Sequence, residues 1–274
     1  MDVEIIQNFV AKLYTSRDFL TLFKESPVAT FDLMEVSGKE KTFLESIDMK
    51  KLDKINTIIF DKQLSMIKNC YPVFSTHYKD EFEHCSKLFL RLNKNYVWSD
   101  EGTVRLCTDF YDFYFQKMFN RNTTKDWLLK DLIKFEFLRF TLGCQQVPKL
   151  YALLDPYFET SIKSDTRIFV HEYAHLEDFD FPVIEIIQKL KKSSSEVNLE
   201  RPEKNHVLFI PSPLLGCIVL PVDPRHRKLL LYFNGKEPFE TLGSKIKQNE
   251  SQDVFDQLPK ALAFFKSNKV LALI

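Results

Sequence analysis

His171-Glu-Tyr-Ala-His175 is the place where residue types and spacing most directly suggest a reaction. On a helix, histidines four residues apart share one face and can hold Zn²⁺, while the glutamate activates a metal-bound water. That reading makes His171, Glu172 and His175 the working residues of a zinc metallopeptidase. Three features oppose it. Thr166-Arg-Ile-Phe-Val170 is β-branched and aromatic, which predicts a strand, and in a strand the two imidazoles do not lie one helical turn apart. Glu177 stands two residues after the second histidine, where zincins carry an apolar residue. No H-x-x-G-x-x-H extension follows, and the conceivable third ligand, Glu196, sits in a serine-rich stretch. The competing reading is a strand with two half-exposed imidazoles.

Other candidate chemistry is thinner. Glu81/His84 and Glu172/His175 are both Glu-x-x-His pairs, the unit of di-iron sites in helix bundles, but no lone glutamates complete the set. Glu81-Phe-Glu-His84 reads as a solvated helix face. Glu136 lies between Phe135 and Phe137 on an otherwise apolar run, so it is a buried or interfacial carboxylate, or the ion-pair partner of Lys134 or Arg139. The five cysteines, at 70, 85, 107, 144 and 217, form no Cys-x-x-Cys pair and read as buried thiols of a reducing compartment. There is no Walker A loop and no G-x-G-x-x-G. No catalytic or metal-binding residue is expected in this chain.

The elements that hold these residues follow from composition and punctuation. Lys and Arg number 38 against 38 Asp and Glu, so bulk charge favours neither nucleic acid nor an anionic membrane. Glycine is scarce and Phe abundant, as in a mostly helical protein. No apolar run approaches the ~18 residues of a membrane span, and Met1-Asp-Val-Glu4 lacks the basic start of a signal peptide. A cytoplasmic location is expected. Ile5, Ile6, Phe9, Val10 and Leu13 form a helix face, Ser16 caps a second helix and Pro27 ends it. A long periodic run from Asp48 stops at Tyr71-Pro72. Phe74, Tyr78, Phe82, Cys85 and Leu88 continue as a helix, Ser99 opens another through Met118, and a last one carries Trp127 and ends near Gly143.

From His206 the pattern changes. His206-Val-Leu-Phe-Ile210 and Cys217-Ile-Val-Leu220, joined by Pro211-Ser-Pro-Leu-Leu-Gly216, predict a hairpin. Asp223-Pro224 opens a helix that Asn234-Gly235 can end in a left-handed cap. Pro238 opens a second helix with Phe239, Leu242 and Ile246 on one face. A third runs from about Gln257 to Asn268, and Val270-Leu-Ala-Leu-Ile274 closes as an extended run. This is the order of a winged helix-turn-helix. From His206 onward nine Lys/Arg face six Asp/Glu, and Arg225-His-Arg-Lys228 is a basic cluster, so a winged-helix transcriptional regulator is an alternative reading. Its third helix carries only Lys260 and Lys266, a weak stripe for neutralising phosphates.

The hairpin, Val222-Asp223-Pro224, Leu229-Leu-Leu-Tyr-Phe233, Asn234-Gly235-Lys236 and Leu262-Ala-Phe-Phe-Lys-Ser-Asn-Lys-Val270 together resemble the PqqD-like domains that recognise leaders of ribosomally made precursor peptides. Tyr71-Pro72, Phe82 and Trp127-Leu-Leu-x-Asp131-Leu132-x-x-Phe135-Glu136 resemble the helical half of the companion proteins of multinuclear non-haem iron enzymes. Relatives of that kind occur in the methanobactin and thiaglutamate pathways. Asp178-Phe-Asp-Phe-Pro-Val-Ile-Glu-Ile-Ile187 fits their linking strand and helix.

The expected fold is therefore mainly α with an α+β C-terminal part. A helical bundle spans 1–160, a linking strand, helix and polar hinge 161–204, and a winged-helix domain 205–274. The resemblance implies a non-catalytic subunit that holds no cofactor of its own. It would form a heterodimer with an enzyme carrying the iron and bind a precursor peptide, with no nucleic-acid or membrane partner. The leader would add as a strand to the edge at Cys217–Leu220, with Ile218, Leu220, Leu262, Phe265 and Lys266 as contact residues. Tyr111, Tyr114, Phe115 and Phe119 could face the enzyme or fill the bundle core.

Overall fold

The computed structural model describes residues 2–36, 38–92, 100–119, 123–145, 162–192, 203–212 and 215–273. The chain is mainly helical, and its described strands lie in the C-terminal half. It divides into two compact units, Met1–Asn120 and Arg121–Ile274. None of the described helices is long and apolar enough to cross a membrane.

In the first unit, α1 (Val3–Thr15), α2 (Arg17–Glu25) and α3 (Pro27–Leu33) form a compact corner. Asp2 accepts from the amides of Glu4 and Ile5, and Ser16 from that of Phe19, so side-chain oxygens satisfy amides that a helix start leaves open. Pro27 ends one helix by starting the next, where its missing N–H costs nothing. These turns bring Phe19, Phe23 and Phe31 around Phe9, with ring centroids 5.2–5.5 Å apart.

A short α4 (Gly38–Glu45), which the sequence did not signal, precedes α5 (Met49–Cys70). Asp48 caps α5, and Asn56 on its buried face donates to the carbonyl of Leu13, tying it to α1. The expected stop at Tyr71-Pro72 has a tertiary anchor: Tyr71 is fully buried and its hydroxyl donates to the Cys107 carbonyl at 2.8 Å. The run after it is two helices, α6 (Pro72–His77) and α7 (Lys79–Leu92). Against them pack α8 (Asp100–Phe113) and the π-helical turn Tyr114–Met118 that prolongs it. Phe74, Phe82, Phe110 and Tyr114 fill the space between these helices with aromatic contacts.

The second unit begins with α9 (Thr124–Gly143), started by a reciprocal capping box between Thr123 and Asp126. The expected bundle ran to residue 160, but α9 belongs with the strands. Leu128, Leu129, Leu132, Ile133 and Phe135 lie on one side of it and are all buried, as are Asp131 and Glu136. A face this apolar needs cover. Here that cover includes the linking and hairpin strands and α10 (Val183–Lys192).

Among the described residues two three-stranded antiparallel sheets follow. In one, β1 (Arg167–Val170) is the centre, between β5 (Asn234–Pro238) and the terminal β6 (Leu271–Leu273). In the other, β3 (Asn205–Ser212) is the centre, between β2 (His175–Phe179) and β4 (Gly216–Val222). Residues 207–210 are buried on both faces of that sheet, which is why they read as an unbroken apolar run. Phe209 meets Phe135 of α9 at 5.5 Å, while Leu208 and Ile210 enter the opposite core. That core is closed by α11 (Pro224–Leu230), α12 (Phe239–Asn249), a single turn α13 (Gln252–Phe255) and α14 (Leu258–Ser267).

The predicted hairpin, the Asp223 cap, the helix from Pro238 and the closing strand are present. Asn234-Gly235 differs. The helix before it ends at Leu230, and Gly235, at φ +71°, opens β5 instead. Asn-Gly-Lys-Glu-Pro has no alternating apolar residues, and it is a strand only because β1 lies beside it. Most of the polar hinge falls at residues 193–202, outside the described residues.

Candidate peptide-binding edge

The expected contact residues gather around one core. Ile218 and Leu220 point from β4 into the cluster that includes Leu262 and Phe265 on α14, and both remain half-buried. Leu262 is 8% exposed and Phe265 is fully buried, its ring edge-on to Phe233 and Phe264. Phe265 thus presents no surface to a ligand and supports the face from beneath. Lys266 is half-buried at the end of the same helix.

β4 is an edge strand: among the described residues it pairs with β3 alone. Its outward groups follow from two prolines. Pro221 faces Val207, and Pro211 faces Cys217, so both prolines belong to the same set of cross-strand pairs as Phe209–Val219. Proline has no N–H and is tolerated in a strand where that N–H would point away from its partner. The backbone groups of Cys217 and Val219 therefore face outward, while Pro221 offers only its carbonyl. Such a short row of free N–H and C=O groups is a template for another strand.

One end of this edge lies against α9. A Cβ placed on Gly143 would come within 3.3 Å of the Gly216 carbonyl carbon and 3.5 Å of the Cys217 Cβ. Glycine at this position lets the end of the helix approach the strand closely. Cys217 is half-buried, and burial pushes its thiol up to about 11; Cys85 is pushed up to about 12 in the same way. At neutral pH both are thiols, poor nucleophiles.

The H-E-x-x-H segment is not helical. His171 follows β1, residues 172–173 form a turn closed by the Ala174 amide on the His171 carbonyl, and His175 opens β2. The ring of His171 stacks on Tyr173, whereas Nε2 of His175 meets Glu177 at 3.1 Å. The shared helical face on which the zinc reading depends does not form. Among the described residues no cluster of three or more His, Cys, Asp or Glu side chains is placed to hold a metal. Glu81 accepts from the Tyr114 hydroxyl at 2.9 Å, and Glu83 pairs with Lys87 along the exposed face of α7.

Charges on β2 tie the unit together on both faces. Burial opposes the charge on Glu177, but hydrogen bonds from Lys134 and His175 outweigh it and hold the carboxyl below its usual range. Lys134 is thus engaged at 2.5 Å by Glu177, while Glu136 is 4% exposed on the helix beside it. On the other face Asp178 meets His206 at 2.7 Å and is gripped by Arg227 of α11. The basic cluster is neutralised where it stands: Arg225 binds Asp223, Arg227 binds Asp178 and Lys228 lies 3.7 Å from Glu250. Paired cations make a poor phosphate-binding stripe.

Asp131, a residue of the Trp127–Glu136 motif, accepts from the amides of Asp180 and Phe181 at 2.6 and 3.1 Å. It fixes the turn between β2 and α10, a role that spacing alone did not reveal. Trp127, Thr124, Asp180 and Phe181 line a shallow pocket beside it, with Lys130 over the indole at 4.8 Å. Comparison with known proteins adds no assignment: no protein-family model matches the chain, and no curated protein matches it.

Proposed function

We propose that this chain is a non-catalytic partner subunit that binds the leader of a ribosomally made precursor peptide. It would present that peptide to a multinuclear non-haem iron enzyme, with the iron held by the enzyme. The observation that carries the reading is the edge of β4, which no other described strand pairs with and whose outward Cys217 and Val219 backbone lies beside half-buried Ile218 and Leu220. Backbone pairing would supply affinity, and the apolar face backed by Leu262 and Phe265 would select side chains. Lys266 would contact the peptide's end at the rim. In the first unit, Tyr114 is buried, while Tyr111, Phe115 and Phe119 are half-buried and stack in series at 4.5 and 5.6 Å. They would form part of the surface that docks on the enzyme.

The test is co-expression with an iron enzyme of this class and its precursor. Oxidation of the peptide should require this chain, and Gly216–Leu220 amides should gain hydrogen-exchange protection when the leader is added. Modification at an equal rate without the chain would sink the proposal. The regulator reading predicts retention on duplex DNA that falls with salt, which the paired state of Arg225, Arg227 and Lys228 disfavours.

A further inference from the structure

We infer that the segment added to β4 is an extended peptide in which apolar residues alternate with acidic ones, an acidic side chain facing Arg139. The inference rests on the strand-addition reading and specifies the peptide's chemistry. Side chains of an added strand alternate between the two faces of the sheet. On one face their neighbours are Ile218 and Leu220 and the core beneath them, a surface that selects apolar residues.

On the other face the neighbours are Cys217 and Val219, and behind them lies α9. Val219 pairs with Phe209, whose ring meets Phe135 of that helix, and a Cβ on Gly143 would meet Gly216 and Cys217. Arg139 stands four residues before Gly143, one turn back along the same helix face. It is exposed and makes no ion pair or hydrogen bond among the described residues. Lys134, Arg225, Arg227 and Lys228 around the same unit all have carboxylate partners. Arg139 also reaches Cys217 electrically: burial raises that thiol, and the Arg139 charge works against the rise. A guanidinium without a carboxylate among the described residues, beside an edge that no other described strand covers, selects a carboxylate and repels a cation.

The probes are two fluorescein-labelled nonapeptides with leucine at alternate positions, one with glutamate between the leucines and its twin with lysine. Anisotropy titrations would use the full chain, Arg139→Glu and Val219→Pro. The glutamate peptide should bind the parent chain about fivefold more tightly than its twin, as expected of one partly exposed ion pair. That ratio should shrink in high salt and invert in Arg139→Glu. An unchanged ratio in Arg139→Glu overturns the inference. Strand addition would still stand if Val219→Pro, with its circular dichroism intact, abolishes binding of both peptides. If Val219→Pro stays folded and leaves binding untouched, strand addition itself fails. If neither peptide binds, the alternating composition is wrong, and the exchange experiment on Gly216–Leu220 decides strand addition separately.

Discussion

Arg227 grips Asp178 with two nitrogens, Nε to Oδ1 at 2.9 Å and Nη2 to Oδ2 at 2.6 Å, and so pins α11 to β2. The hydrogen bonds from Arg227 hold the Asp178 carboxyl below its usual range. A depressed folded pKa gives stability that is present above the unfolded pKa and lost as pH falls through the folded one. Because the pair is half open to water, Arg227→Ala should cost only about 0.5–1 kcal/mol at pH 7. Urea unfolding at pH 7 and pH 2 checks this, since the difference between parent and variant should vanish in acid.

Asp131 has the opposite sign. Burial pushes its carboxyl up to about 6 from an ordinary 3.8, against the two amides that favour the charge. Between those values the unfolded chain loses its proton first, so stability falls as pH rises, by up to roughly 3 kcal/mol from this group. Asp131→Asn should abolish that slope while keeping an acceptor. Asp131→Leu should instead orphan the Asp180 and Phe181 amides, at about 1–3 kcal/mol each. Thermal melts of the three proteins across pH 4–7 separate the cases.

Phe265 and Ile218 should differ in what they affect. Phe265→Ala opens a cavity in a closed core and should cost about 3–5 kcal/mol. Ile218→Ser removes a half-buried side chain, so it should cost less stability yet weaken peptide binding more. Denaturant midpoints set beside anisotropy titrations distinguish support from contact.

Since the H-E-x-x-H segment is a turn between strands of two different sheets, the purified chain should hold far less than one zinc. Elemental analysis against protein concentration measures it. A stoichiometric zinc lost in both His171→Ala and His175→Ala would restore the peptidase.

Much of the local structure was legible in advance. Ser16 and Asp223 cap the helices they precede, Pro27 and Tyr71-Pro72 mark helix ends, and Pro224 and Pro259 sit in first turns. The β-branched run before His171 is a strand. Each signal acts within about four residues, so the amino-acid order determined it alone.

Tertiary structure decided the rest. Asn234–Pro238 is a strand because Arg167–Phe169 pairs with it. α9 joins the strands because its buried face packs on β3 and β4, and Phe265 is core because the helices close over it. The basic cluster lost its appearance of a phosphate stripe when Asp178 and Glu250 arrived from distant segments. Strand ladders, core burial and ion pairs join residues far apart in the chain and leave no local periodicity to read. Packing therefore decided which edge no described strand pairs with, and that Arg139 has no carboxylate partner among the described residues.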